Sequence, residues 1–198
     1  MFTEENLFNA VKKALEKACQ DNPKIAESYH VSRLWTPIIK SLVENILLEA
    51  EPLLYREREY YRVDSMFLED RKTPEEKETN GIIRVEGKEF WVYKRKIVYA
   101  IEYENNKKSW ADEADKLSHL RAGMKVILAY SETGKKPSDY LQILKAKLSA
   151  VRSMIEEGQS EALTDRWLLC FLPSEALDLH RFVAFKMAQK QFVQILNS

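Results

Sequence analysis

Apolar residues recur along this chain with two spacings, about 3.6 residues and 2 residues, and the switches between them mark the elements. Leu7, Phe8, Val11, Leu15 and Ala18 share one face of a helix that Thr3 caps and that runs to Cys19. Asp21, Asn22 and Pro23 break it. Thr36 and Pro37 read as the N-cap and first residue of a second helix, with the stripe Ile38, Ile39, Leu42, Val43, Ile46 and Leu47; Pro52 limits its end. The rhythm changes at Tyr55. Tyr60 to Leu68 is rich in strand formers and reads as one strand. Residues 69–80 are charged and read as an exposed loop. Residues 81–93 read as a hairpin turning at Glu86 and Gly87, and 96–105 as a strand with an apolar first half.

Ser109 caps the next helix, with Asp112 at its third position, the stripe Trp110, Ala114, Leu117 and Leu120, and Gly123 as its stop. Met124 to Tyr130 follows as a short buried strand. Ser138 caps a long helix carrying Leu141, Leu144, Leu148, Val151 and Ile155, stopped by Gly158. Trp167 to Leu172 reads as another buried strand, and a strand lies near 182–185, with helical or extended residues after it. Two helices, an antiparallel group of strands, then strand, helix, strand, helix, strand make an α/β fold with a mixed sheet. The strands on either side of the Ser109 helix are expected to be a buried parallel pair.

Composition narrows the class. The chain has 198 residues, 45% hydrophobic and 31% charged, with 5 Gly and 6 Pro, which is globular rather than disordered or repetitive. Lys plus Arg and Asp plus Glu number 31 each. A zero net charge argues against coating nucleic acid or an acidic membrane through bulk charge, though local basic patches remain open. Cys19 and Cys170 read as reduced thiols, and three His without a CxxC give no zinc pattern. The acidic start, Met1 to Asn6, does not read as a secretory leader, and no apolar run reaches membrane-span length. A cytoplasmic location is the expectation.

The candidate chemistry is acidic. Asp64 is embedded in one strand. Glu102 and Glu104 close the next long one, where alternation puts both on one face with Val98 and Ala100. Clustered, partly buried carboxylates repel each other and call for a cation, a shared proton or hydrogen-bond donors. Mg²⁺ or Mn²⁺ with oxygen ligands would serve, and would polarise a phosphoryl group. The plainer alternative is pairing with Arg62, Lys94 or Lys96.

Asp on one strand, Glu-x-Glu on the next, then a helix and a buried strand resembles the PD-(D/E)XK nuclease superfamily, the restriction-endonuclease-like fold. The resemblance covers residues 36–130, in the order helix, three-strand meander, helix, strand. It implies a single domain: 1–35 a helical extension, 36–130 the nuclease-like core, and 131–198 a helix and strands completing the sheet. By resemblance Asp64 and Glu102 bind the metal and Glu104 completes the site. Glu104 stands where the family usually has Lys, and Val63 where Pro often precedes the Asp. Lys94, Lys96, Lys107 and Lys108 are candidates for a relocated Lys. Many members carry a Glu on the first core helix. Glu49, extending the stripe of Leu42 and Ile46, is the candidate here, with Glu44 on another face; a helix-end carboxylate paired at the rim explains Glu49 as well.

The resemblance implies a Mg²⁺- or Mn²⁺-dependent nuclease with DNA as partner. A module that keeps the fold without turnover is the second reading, supported by the missing Lys and the neutral charge. Lys94 to Lys96, Lys107-Lys108 and Lys135-Lys136 read as solvated surface or as a phosphate-tracking rim. The tyrosines 55, 60, 61, 93, 99 and 103 read as sheet packing or base stacking. Asn105 reads as a strand terminator or a water-orienting group. His30, His119 and His180 receive no role. Oligomeric state is open, a homodimer included, and the first twenty residues either pack behind the sheet or make a dimer contact.

Overall fold

The computed structural model describes residues 1–60, 62–70, 82–85, 88–91, 95–104, 110–131, 139–174 and 177–196. Thr3 accepts from the Asn6 amide at 3.1 Å and opens helix α1, Glu4–Asp21. Leu7, Phe8, Val11 and Leu15 are its buried face. A single turn, α2 (Lys24–Glu27), and a 3₁₀ turn, Ser28–His30, lead into α3, Ser32–Ala50. This second long helix starts before the expected cap at Thr36 and Pro37, and Pro37 sits inside it. The reason is Trp35: it is 1% exposed and meets Tyr29 edge-on, 4.9 Å between centroids. Burying an indole outweighs the roughly 3 kcal/mol cost of an interior proline.

Seven strands form one sheet in the order β1-β2-β5-β6-β7-β8-β9. They are β1 (Tyr55–Tyr60), β2 (Val63–Asp70), β5 (Arg95–Glu104), β6 (Ala122–Ser131), β7 (Trp167–Pro173), β8 (Val183–Ala188) and β9 (Gln191–Ile195). β5, β6 and β7 run parallel and the outer pairs antiparallel. Between β2 and β5 lies a separate hairpin, β3 (Ile82–Val85) with β4 (Lys88–Trp91), whose ladder brackets the expected turn at 86–87. Helix α4 (Trp110–Ser118) connects β5 to β6, and α5 (Asp139–Gln159) connects β6 to β7. The architecture is therefore α/β, a mixed sheet flanked by helices, with further helices at the N-terminal end. From α3 to β6 it runs helix, antiparallel meander β1-β2-β5, helix, parallel strand.

Two apolar clusters sandwich the sheet. On one side α1 and α3 pack on Phe67, Tyr99, Ile101, Val126 and Leu168. On the other, α4 and α5 pack on Met66, Ala100, Ile127, Leu169 and Phe171. Neighbouring residues of each strand thus enter opposite cores, as strand alternation requires. The first twenty residues pack behind the sheet: Phe8 meets Phe182 edge-on at 5.1 Å.

Several boundaries differ from the sequence reading. The segment 60–68 is not one strand. Tyr60 pairs with Val63, and Arg62 holds φ 62° in the intervening turn, so β1 and β2 form a tight hairpin. Gly123 is a strand residue, not a helix stop. A Cβ there would lie 2.8 Å from the Val98 carbonyl oxygen on β5, so the close approach of β5 and β6 requires glycine. Helix α5 runs through Gly158. The tail after 182 forms the β8–β9 hairpin, turned by Gln189 and Lys190 at φ 49° and 60°. The expected caps Ser109 and Ser138, and most of the loop 69–80, lie outside the described residues. Both cysteines are free, Cys170 fully buried. Among the described residues no helix is long and apolar enough to cross a membrane.

Candidate functional site

β2 and β5 part company at the site the sequence singles out. Their ladder runs through Phe67–Tyr99, Met66–Ala100 and Ser65–Ile101. One step further sets Asp64 opposite Glu102. The Asp64 side chain takes over a ladder position there: its Oδ2 accepts from the Tyr103 amide at 2.9 Å. Its Oδ1 lies 3.5 Å from Lys40 Nζ, an ammonium from α3 that also sits 5.6 Å above the Tyr103 ring.

Glu102 is held from the other layer. It is 3% exposed, and its Oε1 lies 2.7 Å from Lys116 Nζ on α4. Lys116 also pairs with Glu113 and donates to the Arg62 carbonyl at 2.9 Å. Burial pushes the Glu102 carboxyl up to about 8; Lys116 pulls the other way, while Glu113 and Asp64 add repulsion. A half-buried ammonium in contact does not offset the desolvation of an acid enclosed in the sheet.

Tyr103, next to Glu102 in sequence, points into the α3 side. Its hydroxyl is buried without a hydrogen-bond partner of good geometry. Burial, then the charges of Glu44 and Asp64, push its ionisation well above that of a free phenol. Glu44 of α3 is 0% exposed and fully engaged. It accepts from Arg56 Nη1 and Arg58 Nη2, both at 2.5 Å, and from the Ser65 hydroxyl at 2.7 Å. Burial would raise its carboxyl, but hydrogen bonds from Arg58 and Ser65 and the charge of both arginines hold it below the usual value.

The acids on α3 exchange the faces expected of them. Glu49 is exposed, while Glu44 is buried. The stripe centres on Trp35, Ile39, Val43 and Leu47, and the sheet covers the flank bearing Lys40 and Glu44. Leu42 and Ile46 are only half-buried, so Glu49 beyond them reaches solvent. Glu104 is half-exposed at the end of β5.

Of the lysines considered for the site, Lys96 lies six residues before Glu102, roughly 20 Å along an extended strand, and its ammonium is 3.6 Å from Glu69. Lys94, Lys107, Lys108 and Asn105 lie outside the described residues, as do Lys135 and Lys136. His119 is exposed, 3.7 Å from Asp115.

Sequence reasoning missed Lys40, Lys116 and the Glu44–Arg56–Arg58–Ser65 cluster. Lys40 and Glu44 had a signal in the four-residue spacing between them on the helix, beside the apolar stripe. Lys116 had only its place three residues after Glu113. It also missed Lys125, wholly buried on β6. Its ammonium lies 2.5 Å from Asp165 and 4.9 Å from the centre of the Trp167 ring, and burial lowers its pKa against the pull of Asp165.

The donor set meets the needs of a single divalent ion only in part. Two carboxylates plus water and a phosphate oxygen satisfy Mg²⁺, and Asp64 and Glu102 are cross-strand neighbours. Against this, Asp64 is held toward α3 and Glu102 toward α4, each with a lysine beside it. Among the described residues no group of three His, Cys, Asp or Glu side chains is arranged to hold a metal. The described donor set therefore offers an ion two protein carboxylates at most, each already beside an ammonium group. No family model, curated protein or solved structure matches the chain significantly.

Proposed function

We propose that the β2–β5 fork is a phosphodiester-hydrolysing site dependent on Mg²⁺ or Mn²⁺, acting on DNA. The observation that carries the reading is Glu102, a carboxyl buried to 3% exposure, across the strands from Asp64 and in contact with an ammonium. Perturbed acids of this kind, enclosed beside a charge partner, concentrate at functional sites. Asp64 and Glu102 would hold the ion, which when bound supplies Lewis-acid polarisation of the phosphodiester. Glu104 lies two residues on at the strand end and completes the acidic set. Lys116 takes the part of the relocated lysine: its long stem lets the ammonium leave Glu102 for a phosphate oxygen. Arg62, exposed in the turn whose carbonyl accepts from Lys116, adds positive charge for the DNA backbone.

The second reading is a module that keeps this fold and binds without turnover. It is favoured by the lysines that stand against Asp64 and Glu102 from opposite layers of the sheet and occupy the space beside each carboxyl. One set of measurements separates the two. Mn²⁺ binding is followed by water-proton relaxation, and cleavage of single- and double-stranded DNA is assayed with Mg²⁺ or Mn²⁺, for the native chain beside Asp64→Ala and Glu102→Ala. The hydrolytic reading expects metal-dependent cleavage lost in both variants. Equal cleavage by all three proteins, or no Mn²⁺ binding by the native chain, refutes it.

A further inference from the structure

Lys116 marks a cation position at the edge of the fork. Its ammonium lies 2.7 Å from Glu102 Oε1 on β5 and 2.9 Å from the Arg62 carbonyl oxygen in the β1–β2 turn. It also touches Glu113 Oε2 on its own helix, α4. Oxygens from three separate elements thus converge on one point. Only the contact with the carbonyl has hydrogen-bond geometry. Glu102 Oε1 and Glu113 Oε2 are buried atoms without a hydrogen bond, and Glu102, 3% exposed, aims its oxygen at the point. Both carboxylates therefore hold the ammonium as a charge, not as a directed donor. A spherical ion makes no directional demand and would satisfy the same oxygens.

Charge and size say which ion. Two ionised carboxylates and one ammonium leave an excess negative charge of one, and a divalent ion in the ammonium's place cancels it. The oxygens stand at ammonium-like distances. Ca²⁺, with flexible geometry and oxygens at roughly 2.3–2.6 Å, needs a small contraction, whereas Mg²⁺ needs roughly 2.0–2.1 Å and a near-ideal octahedron. Carboxylates beside a backbone carbonyl are calcium donors. The side chains of Lys116 and Glu113 are 31% and 22% exposed, so the point has an open side where water supplies the remaining ligands.

We propose that Glu102, Glu113 and the Arg62 carbonyl form a Ca²⁺ site whose built-in occupant is Lys116, a cation tethered in cis that keeps the metal out. The position differs from the one between Asp64 and Glu102, since Asp64 is held toward α3 by Lys40, and Glu113 and Lys116 belong to α4. It shares Glu102 with the hydrolytic reading and does not rest on turnover. Removing the ammonium leaves two buried oxygens facing each other, so the change that opens the site also makes the fold lean on the ion.

Isothermal titration calorimetry of the full chain with Ca²⁺ at pH 8 tests it, with thermal melting as a second readout. Lys116→Met is expected to bind one Ca²⁺ at least tenfold more tightly than the native chain, and millimolar Ca²⁺ to raise its melting temperature more than that of the native chain. Adding Glu113→Gln to Lys116→Met is expected to remove the gain. Lys40→Met, which takes away the ammonium of the other layer, is expected to give none. A Lys116→Met chain that folds only with Ca²⁺ supports the site; if it folds under neither condition, Lys116→Gln takes its place in the same measurements. Three results each overturn the proposal: a lysine variant that binds Ca²⁺ no more tightly than the native chain, a gain that survives Glu113→Gln, or an equal gain in Lys40→Met. Failure of the hydrolytic reading shows separately, in DNA cleavage by the native chain.

Discussion

Replacing Glu102 by Gln should make this protein more stable in alkali and leave it nearly unchanged in mild acid. The carboxyl titrates near 4.5 when exposed and at about 8 in the fold. Between those values the folded chain holds a proton that the unfolded chain releases. Raising the pH through that window therefore favours unfolding, and the loss levels off above 8. The full difference sets a ceiling of roughly 5 kcal/mol, and relaxation around Lys116 brings the expected penalty to about 2–3 kcal/mol. Gln keeps the shape and the hydrogen-bonding oxygen but cannot ionise. Urea denaturation is the assay, read by the fluorescence of the buried Trp35, Trp110 and Trp167 at pH 4 and pH 9. The two proteins should agree within about 1 kcal/mol at pH 4, below the window, and the variant should be ahead at pH 9. A variant weaker than the native chain at pH 9 would mean that the ion pair with Lys116 outweighs desolvation, and the account of this site would be wrong.

Other outcomes follow from the packed charges and the close strand approach. Glu44→Ala removes the acceptor shared by Arg56, Arg58 and Ser65 and should cost about 2–4 kcal/mol in urea denaturation. Because the folded carboxyl of Glu44 is depressed, its contribution is present at neutral pH and fades as pH falls below the usual carboxylate range. Glu44→Gln should therefore flatten the acid limb of a stability–pH curve. Lys125→Met should be neutral or stabilising, whereas Asp165→Asn, which leaves the ammonium buried beside Trp167 without its carboxylate, should lower the melting temperature. Gly123→Ala should cost about 1–3 kcal/mol, measured the same way, since the added methyl meets backbone on β5 rather than a movable side chain.

What the sequence determines by itself here is local and periodic. The faces of α1, α4 and α5, the buried runs of β6 and β7, and the parallel pair around α4 follow from spacing, because burial on one side of a helix or on both sides of a strand leaves a period in the chain. The α/β class follows from the order of those periods. Asp64 and the Glu102–Glu104 pair stand out because a charge in an apolar strand is costly wherever the strand goes.

Tertiary structure alone decides what those charges meet. Lys40 comes from 24 residues before Asp64 and Lys116 from 14 after Glu102, and no periodicity encodes which ammonium reaches which acid. The β1–β2 turn rests on a left-handed Arg62, a conformation that an arginine does not advertise. Gly123, a helix stop by its composition, is required by a carbonyl on the neighbouring strand. The choice between Glu44 and Glu49 is of the same kind. Helical spacing alone does not say which flank of the apolar stripe the sheet covers, so it does not say which acid must be neutralised. Desolvation depends on what lies on every side of a group, and that is a property of the packed layers rather than of any one segment.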